Sequence, residues 1–158
     1  MSFLDAEELG RILLQGRRAL EAKVDAINAL NVFPVPDGDT GTNMLLTMKA
    51  LEAEIAKATD IPASQLVPTM ARGALMGARG NSGVILAQFF QGLAKGLDGM
   101  DDFDCHALAS GLAEATTAAY KAVGNPVEGT ILTVIREVST AAQEQAATKA
   151  GVLELWEI

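Results

Sequence analysis

Leu9, Ile12, Leu13, Leu20, Val24 and Ile27 recur at helical spacing, with Glu7, Glu8, Arg11, Arg17 and Lys23 between them. The pattern predicts one amphipathic helix across this stretch. It then stops: Asn31 to Gly41 holds Pro34, Pro36 and the turn-forming run Asp37-Gly38-Asp39, which reads as a rigid loop. A second helix is expected from about Thr42 to Lys57, with Met44, Leu45, Met48, Leu51 and Ile55 on one face. Further helices are expected over Ser64 to Ala78, Asn81 to Leu97, Asp104 to Val123 and Gly129 to Gln145. No segment reads convincingly as a strand. The chain is therefore expected to be all-α, a single antiparallel bundle.

Composition narrows this picture. With 158 residues, 49% of them hydrophobic, one sizeable core is affordable and one domain is the default. The lone Cys105 excludes an internal disulfide framework, and no apolar run has signal-peptide or membrane-span length, so a cytoplasmic location without a transmembrane segment is expected. A formal charge of −8 argues against nucleic acid as a partner, because phosphate contacts need basic patches. ATP is compatible with that charge, since a metal ion, backbone amides and a few basic side chains offset phosphate locally. The predicted helices also carry Gly73, Gly77, Gly83, Gly92, Gly96 and Gly111, each costing up to about 1 kcal/mol of helix propensity relative to Ala. Close helix packing is the expected return.

The candidate chemistry lies in three junctions. In the first, Asp37 and Asp39 are two residues apart, so an extended chain turns both carboxylates to one side, where they suit a hard cation such as Mg²⁺. Gly41 and Thr42 begin the next helix, whose amides favour an anion beside that metal. The same tetrapeptide also serves as a plain turn with Asp39 or Thr40 as helix cap. A calcium loop starting at Asp37 is set aside, because its twelfth position is Met48 and not a bidentate Glu. The second junction, Gly77 to Gly83, is glycine-rich and opens an apolar helix. Its amides can cradle phosphate, and Asn81 and Ser82 can cap the helix or donate to phosphate oxygens. It has the wording of neither a Walker loop nor a dinucleotide fingerprint, and an ordinary helix-helix turn fits equally. The third, Gly124 to Thr130, feeds another helix, with Thr130 either a cap or a nucleotide contact.

In their order and approximate spacing, these junctions resemble the ATP-binding N-terminal domain of the bacterial fatty-acid kinase family, a relative of the nucleotide-binding subunit of dihydroxyacetone kinase. The run Asn31-Val32-Phe33-Pro34-Val35-Pro36-Asp37-Gly38-Asp39-Thr40-Gly41-Thr42-Asn43-Met44 is the most specific part, and the likeness covers nearly the whole chain. The resemblance implies a barrel or bundle of antiparallel helices holding ATP and two Mg²⁺ ions in the loops at one end. By that likeness Asp37 and Asp39 are the metal-binding and catalytic aspartates. Thr40 and Asn43 approach metal and phosphates, Asn81, Ser82 and Gly83 form the phosphate loop, and Thr130 falls near the nucleotide. The implied reaction moves the γ-phosphoryl group of ATP to a fatty-acid carboxylate presented by a separate acyl-binding protein.

Where the dihydroxyacetone kinase branch has a third metal-binding aspartate, this chain has Asn31, which can offer an amide oxygen but no charge. That substitution and the Val-Phe-Pro-Val-Pro insert are similar to the fatty-acid kinase branch. The family's nucleotide domain continues through further helices, whereas this chain stops at Gly151 to Ile158, so a C-terminal truncation is expected. A small-ketose kinase subunit and a non-catalytic helical interaction module remain as alternatives, and homo-oligomerisation stays open. Cys105 and His106 are adjacent on a helix and point apart, so a structural or surface role is expected for both. Of the arginines, Arg72 and Arg136 are expected to be solvated or ion-paired, while Arg79 lies within the glycine loop.

Overall fold

A computed structural model describes residues 3–58 and 60–148. It is all-helical: α1 (Ala6–Glu21), α2 (Val24–Ala29), α3 (Thr40–Ile55), α4 (Ala63–Gly77), α5 (Gly80–Gly96), α6 (Cys105–Lys121) and α7 (Ile131–Ala147). Among the described residues the only extended pairing is an isolated antiparallel bridge between Leu4 and Phe103. The reading of Gly151 to Ile158 lies outside the described residues.

From α3 to α7 successive helices run antiparallel, and glycine sets how closely they approach. A Cβ on Gly92 would lie 2.5 Å from the Glu114 carbonyl oxygen and 2.6 Å from the Ala115 Cα, and one on Gly96 would lie 2.7 Å from the Gly111 Cα. The α5–α6 contact is thus backbone against backbone. On the other side of the bundle, a Cβ on Gly73 would meet the Leu51 Cα at 2.9 Å and one on Gly77 the Ala50 Cβ at 2.0 Å, which ties α4 to α3. The propensity lost at these glycines is returned as dispersion contact along the helices.

Between these helices lies a core of Leu51, Leu66, Met70, Phe90, Leu93, Leu108 and Leu112, together with small alanines. Leu4 and Phe103 are completely buried beside it, so the segment before α1 closes over the loop before α6. Their bridge is made by Leu4 N–H donating to the Phe103 carbonyl at 2.8 Å and Phe103 N–H donating back at 3.0 Å. Next to this strap, Asp5 and Glu8 form a capping box on α1, and Asp104 caps α6 through Ala107 N–H at 2.7 Å.

The first expected helix is a correction. The periodicity predicts one amphipathic helix through Ile27, but the chain breaks at Ala22 and Lys23 into α1 and α2. Neither residue is a helix breaker. What the break achieves is tertiary: it turns α2 across the start of α3, so that Val24, Ile27 and Asn28 crowd Gly41. Boundaries elsewhere fall within about two residues of the periodicity, the normal fraying of helix ends.

Candidate functional site

Antiparallel packing brings the loops 30–39, 78–79 and 122–130 to one end of the bundle. The link between the first two is direct: Ser82 Oγ, in the first turn of α5, donates to the Thr40 carbonyl oxygen at 3.2 Å. Gly80 sits at φ +57°, and a Cβ there would come within 2.3 Å of Asn43 Nδ2. Gly83 is buried, its missing Cβ lying 2.6 Å from Thr47 Oγ1. Only glycine at 80 and 83 lets the start of α5 lie this close to α3.

Asp37 and Asp39 are both exposed on the loop before α3. Asp39 occupies the cap position of α3, yet its side chain makes no capping bond. The plain-turn expectation, with Asp39 or Thr40 as cap, is corrected by this geometry. Asn28 of α2 caps α3 from outside: its Oδ1 accepts from Gly41 N–H at 2.8 Å and from Thr42 N–H at 3.2 Å, and its Nδ2 donates to Thr42 Oγ1 at 3.0 Å. Nor do the ion pairs among the described residues involve Asp37 or Asp39. Both carboxylates are therefore left without a structural duty.

The same bonds correct a second expectation. The Gly41 and Thr42 amides, expected to favour an anion, are already occupied by Asn28. The open helix start is instead that of α5, whose cap residue Arg79 makes no side-chain bond to its amides. Its first-turn N–H groups and the positive end of its dipole thus face the loop end unshielded. Arg79 is exposed and donates only a long 3.4 Å bond to the Ala78 carbonyl, whereas Arg72 pairs with Glu54 at 3.1 Å and Arg136 with Glu128 at 3.0 Å, as expected. Asn81 is exposed beside this turn and Asn43 is half-buried.

Asn31 is engaged in shaping the loop. Its Oδ1 accepts from Asp39 N–H at 3.1 Å and its Nδ2 donates to the Val35 carbonyl at 3.0 Å. Among the described residues no group of three or more His, Cys, Asp or Glu side chains gathers as a metal cluster. A cation at Asp37 and Asp39 would draw its remaining ligands from water and phosphate oxygens, which is how Mg²⁺ is ordinarily held beside a nucleotide. Two free carboxylates and the open first-turn amides of α5 fit that group.

Thr130 caps α7, accepting from Leu132 N–H at 3.3 Å and donating to the Val127 carbonyl at 2.8 Å. Its loop is pinned by Glu128, which accepts from Thr133 Oγ1 at 2.6 Å, Tyr120 OH at 2.9 Å and Arg136 Nη2 at 3.0 Å. The Thr133 and Tyr120 hydroxyls, with Arg136 adding to them, hold the Glu128 carboxyl below the usual carboxylate range. An open groove of about 510 Å³ runs between α5 and α6, lined by Val84, Gln88, Lys95, Glu114, Thr117 and Lys121 among others, and touches the site-end loops only at Ala122. Asn28 and Thr47 escaped the sequence reading. Neither belongs to a motif, and only the crossing of α2 over α3 gives Asn28 its task.

The molecule is thus an all-helical bundle that gathers an Asp-x-Asp loop and an uncapped glycine-rich helix start at one end. The DAK2 domain family matches residues 34–157, and the chain belongs to that family. This makes it a dihydroxyacetone-kinase-like domain in a family of phosphotransferases. Similar proteins include uncharacterized proteins of Staphylococcus aureus strains bovine RF122, USA300 and NCTC 8325, each 41% identical over 157 residues. The match covers 99% of this chain but 29% of each relative's length. No helix among the described residues is long and apolar enough to cross a membrane.

Proposed function

We propose that this chain is an ATP- and Mg²⁺-dependent kinase domain that passes the γ-phosphoryl group to a fatty-acid carboxylate presented by a separate acyl-binding protein. The observation that carries the reading is the freedom of the Asp37 and Asp39 carboxylates beside the uncapped start of α5. Asp37 and Asp39 would hold Mg²⁺, which supplies charge neutralisation on the phosphates. The first-turn amides of α5, at Asn81 and Ser82, receive the phosphate oxygens, and Gly80 and Gly83 let α5 pack against α3 so that these amides lie at the same end as the Asp37–Asp39 loop. Arg79 adds positive charge at the same turn. Asn43, packed on Gly80, fixes the spacing between the two arms, and Thr130 with its Glu128-pinned loop borders the nucleotide end.

The acceptor's carboxylate oxygen forms the new bond to the γ-phosphorus as the bond to the β–γ bridging oxygen breaks, giving an acyl phosphate and ADP. Positioning and charge stabilisation supply the rate, with no protein nucleophile. The fatty-acid acceptor is supported by Asn31 in the place of a third aspartate and by the Val32 to Pro36 insert, whose Val32, Phe33 and Val35 are exposed beside Asp37. The family match supports a second reading, a small-ketose kinase subunit, at the same level of detail.

Calorimetric titration of ATP with and without Mg²⁺, on the wild type and on a folded Asp37→Ala, Asp39→Ala variant, tests the site. Metal-dependent binding that the variant loses is expected; a folded wild type that binds no Mg-ATP sinks the reading. Acyl-phosphate formation with an acyl-carrier partner, against phosphorylation of dihydroxyacetone with a substrate subunit, separates the two acceptors.

A further inference from the structure

Asp is among the strongest helix caps, and Asp39 stands in the cap position of α3, its carbonyl accepting from Asn43 N–H at 2.9 Å, yet its backbone at φ −117° and ψ 1° lacks the extended conformation of the capping residues Asp5, Asp104 and Thr130. A carboxylate there would ordinarily fold inward onto the second and third amides of the helix, Gly41 and Thr42. Both are taken by Asn28 Oδ1, at 2.8 and 3.2 Å, while Asn28 Nδ2 holds Thr42 Oγ1 at 3.0 Å. The arrangement depends on Gly41 having no side chain, since a Cβ would lie 2.7 Å from the Val24 carbonyl oxygen and 3.1 Å from Asn28 Oδ1. It also depends on the break between α1 and α2, which aims α2 at this point. With its ψ turned to the extended region, Asp39 could serve the helix itself. A remote cap in place of a local one makes sense where the local carboxylate is needed elsewhere.

We propose that Asn28 is a positioning residue for the Asp37–Asp39 site: by capping α3 from α2, it keeps the Asp39 carboxylate off the helix amides and available to a divalent cation. The inference rests on the Mg-ATP reading above. Asn28 touches neither metal nor nucleotide, so its effect is exerted through Asp39. Removing it lets the Asp39 backbone swing to the extended conformation and its carboxylate turn inward to satisfy the helix, which preserves the fold while withdrawing a ligand. Groups that orient a metal ligand in this way typically change affinity by about 10- to 100-fold.

The test compares the wild type, Asn28→Ala and Asn28→Asp over the whole chain, by calorimetric titration with Mg²⁺ and ATP and by amide hydrogen exchange at residues 40–43. Asn28→Ala is expected to weaken Mg-ATP binding by about tenfold or more, with the Gly41 and Thr42 amides still protected because Asp39 has taken them. Asn28→Asp keeps an acceptor oxygen in place and is expected to bind much closer to wild type. Unchanged binding in Asn28→Ala overturns the proposal, and so does equal weakening in both variants, which would mark a packing role. Fast exchange at both amides in Asn28→Ala also overturns it, since Asp39 would then not be the competing cap. Where Asn28→Ala does not fold, Asn28→Ser, too short to reach both amides, is judged by the same outcomes. A wild type that binds no Mg-ATP, or an Asp37→Ala, Asp39→Ala variant that binds normally, refutes the Mg-ATP reading itself; a binding wild type with unchanged Asn28→Ala refutes only the role of Asn28.

Discussion

Gly83→Ala places one methyl group where the two arms of the site meet. The new Cβ would sit 2.6 Å from Thr47 Oγ1 and 3.4 Å from the Asn43 carbonyl oxygen. Thr47 is fully buried, and its hydroxyl donates to that same carbonyl at 2.9 Å, so it cannot swing into solvent to make room. Either α5 moves away from α3, or Thr47 changes rotamer and loses its hydrogen bond. Overpacking of this kind costs about 1–3 kcal/mol, and the hydrogen bond about 1 kcal/mol where it breaks. Exchange of Gly for Ala in a helix returns at most about 1 kcal/mol. The net expectation is a loss of about 1–3 kcal/mol, or a fall in Tm of roughly 3–10 °C for a chain of this size. Mg-ATP affinity should fall with it, because α5 carries the phosphate amides and α3 carries Asp39. Gly16→Ala is the control, as its Cβ would meet nothing within 4 Å, so the propensity gain of about 0.5–1 kcal/mol should appear as a raised Tm. Thermal and urea unfolding of the two variants read the contrast. A Gly83→Ala chain as stable as Gly16→Ala and with wild-type Mg-ATP affinity would refute the claim that glycine sets the α3–α5 approach.

Two further outcomes are expected. Leu4→Ala, at a completely buried position under Phe103, should lose about 2–5 kcal/mol in denaturant unfolding, whereas a loss below about 1 kcal/mol would mean that the strap does not belong to the core. Folded-state pKa values below the ordinary 4.5 at Glu21 beside Lys49, Glu54 beside Lys57, Glu114 beside Lys95 and Glu128 beside Thr133 mean that these carboxylates stabilise the fold above that pH. Their contribution drains as the pH falls through the depressed values, so Tm should be flat near neutrality and drop on acidification below about pH 4.5, the drop being reduced in high salt. A Tm that rises on acidification would contradict these pairings.

Helical periodicity alone determined most of the fold, because an amphipathic stripe has one way to be buried and the Asp-Gly, Pro and Gly junctions have few ways to be helical. Asp37, Asp39 and the Gly77 to Gly83 turn were legible for the same local reason: their residue types restrict the backbone wherever they occur. The break at Ala22 and Lys23 was not legible, since nothing there disfavours a helix and the gain comes from α2 reaching α3. Nor was the state of the two helix starts. Local rules allow Asp39 to cap α3, and they leave α5 as one of several possible anion sites. Tertiary structure reversed the first by bringing Asn28 onto Gly41 and Thr42, and exposed the second by giving Ser82 to the Thr40 carbonyl. A hydrogen bond goes to whichever partner packing brings within reach, and here those partners lie 13 and 42 residues away along the chain. The sequence determined which groups could do chemistry, and the tertiary structure decided which of them were left free to do it.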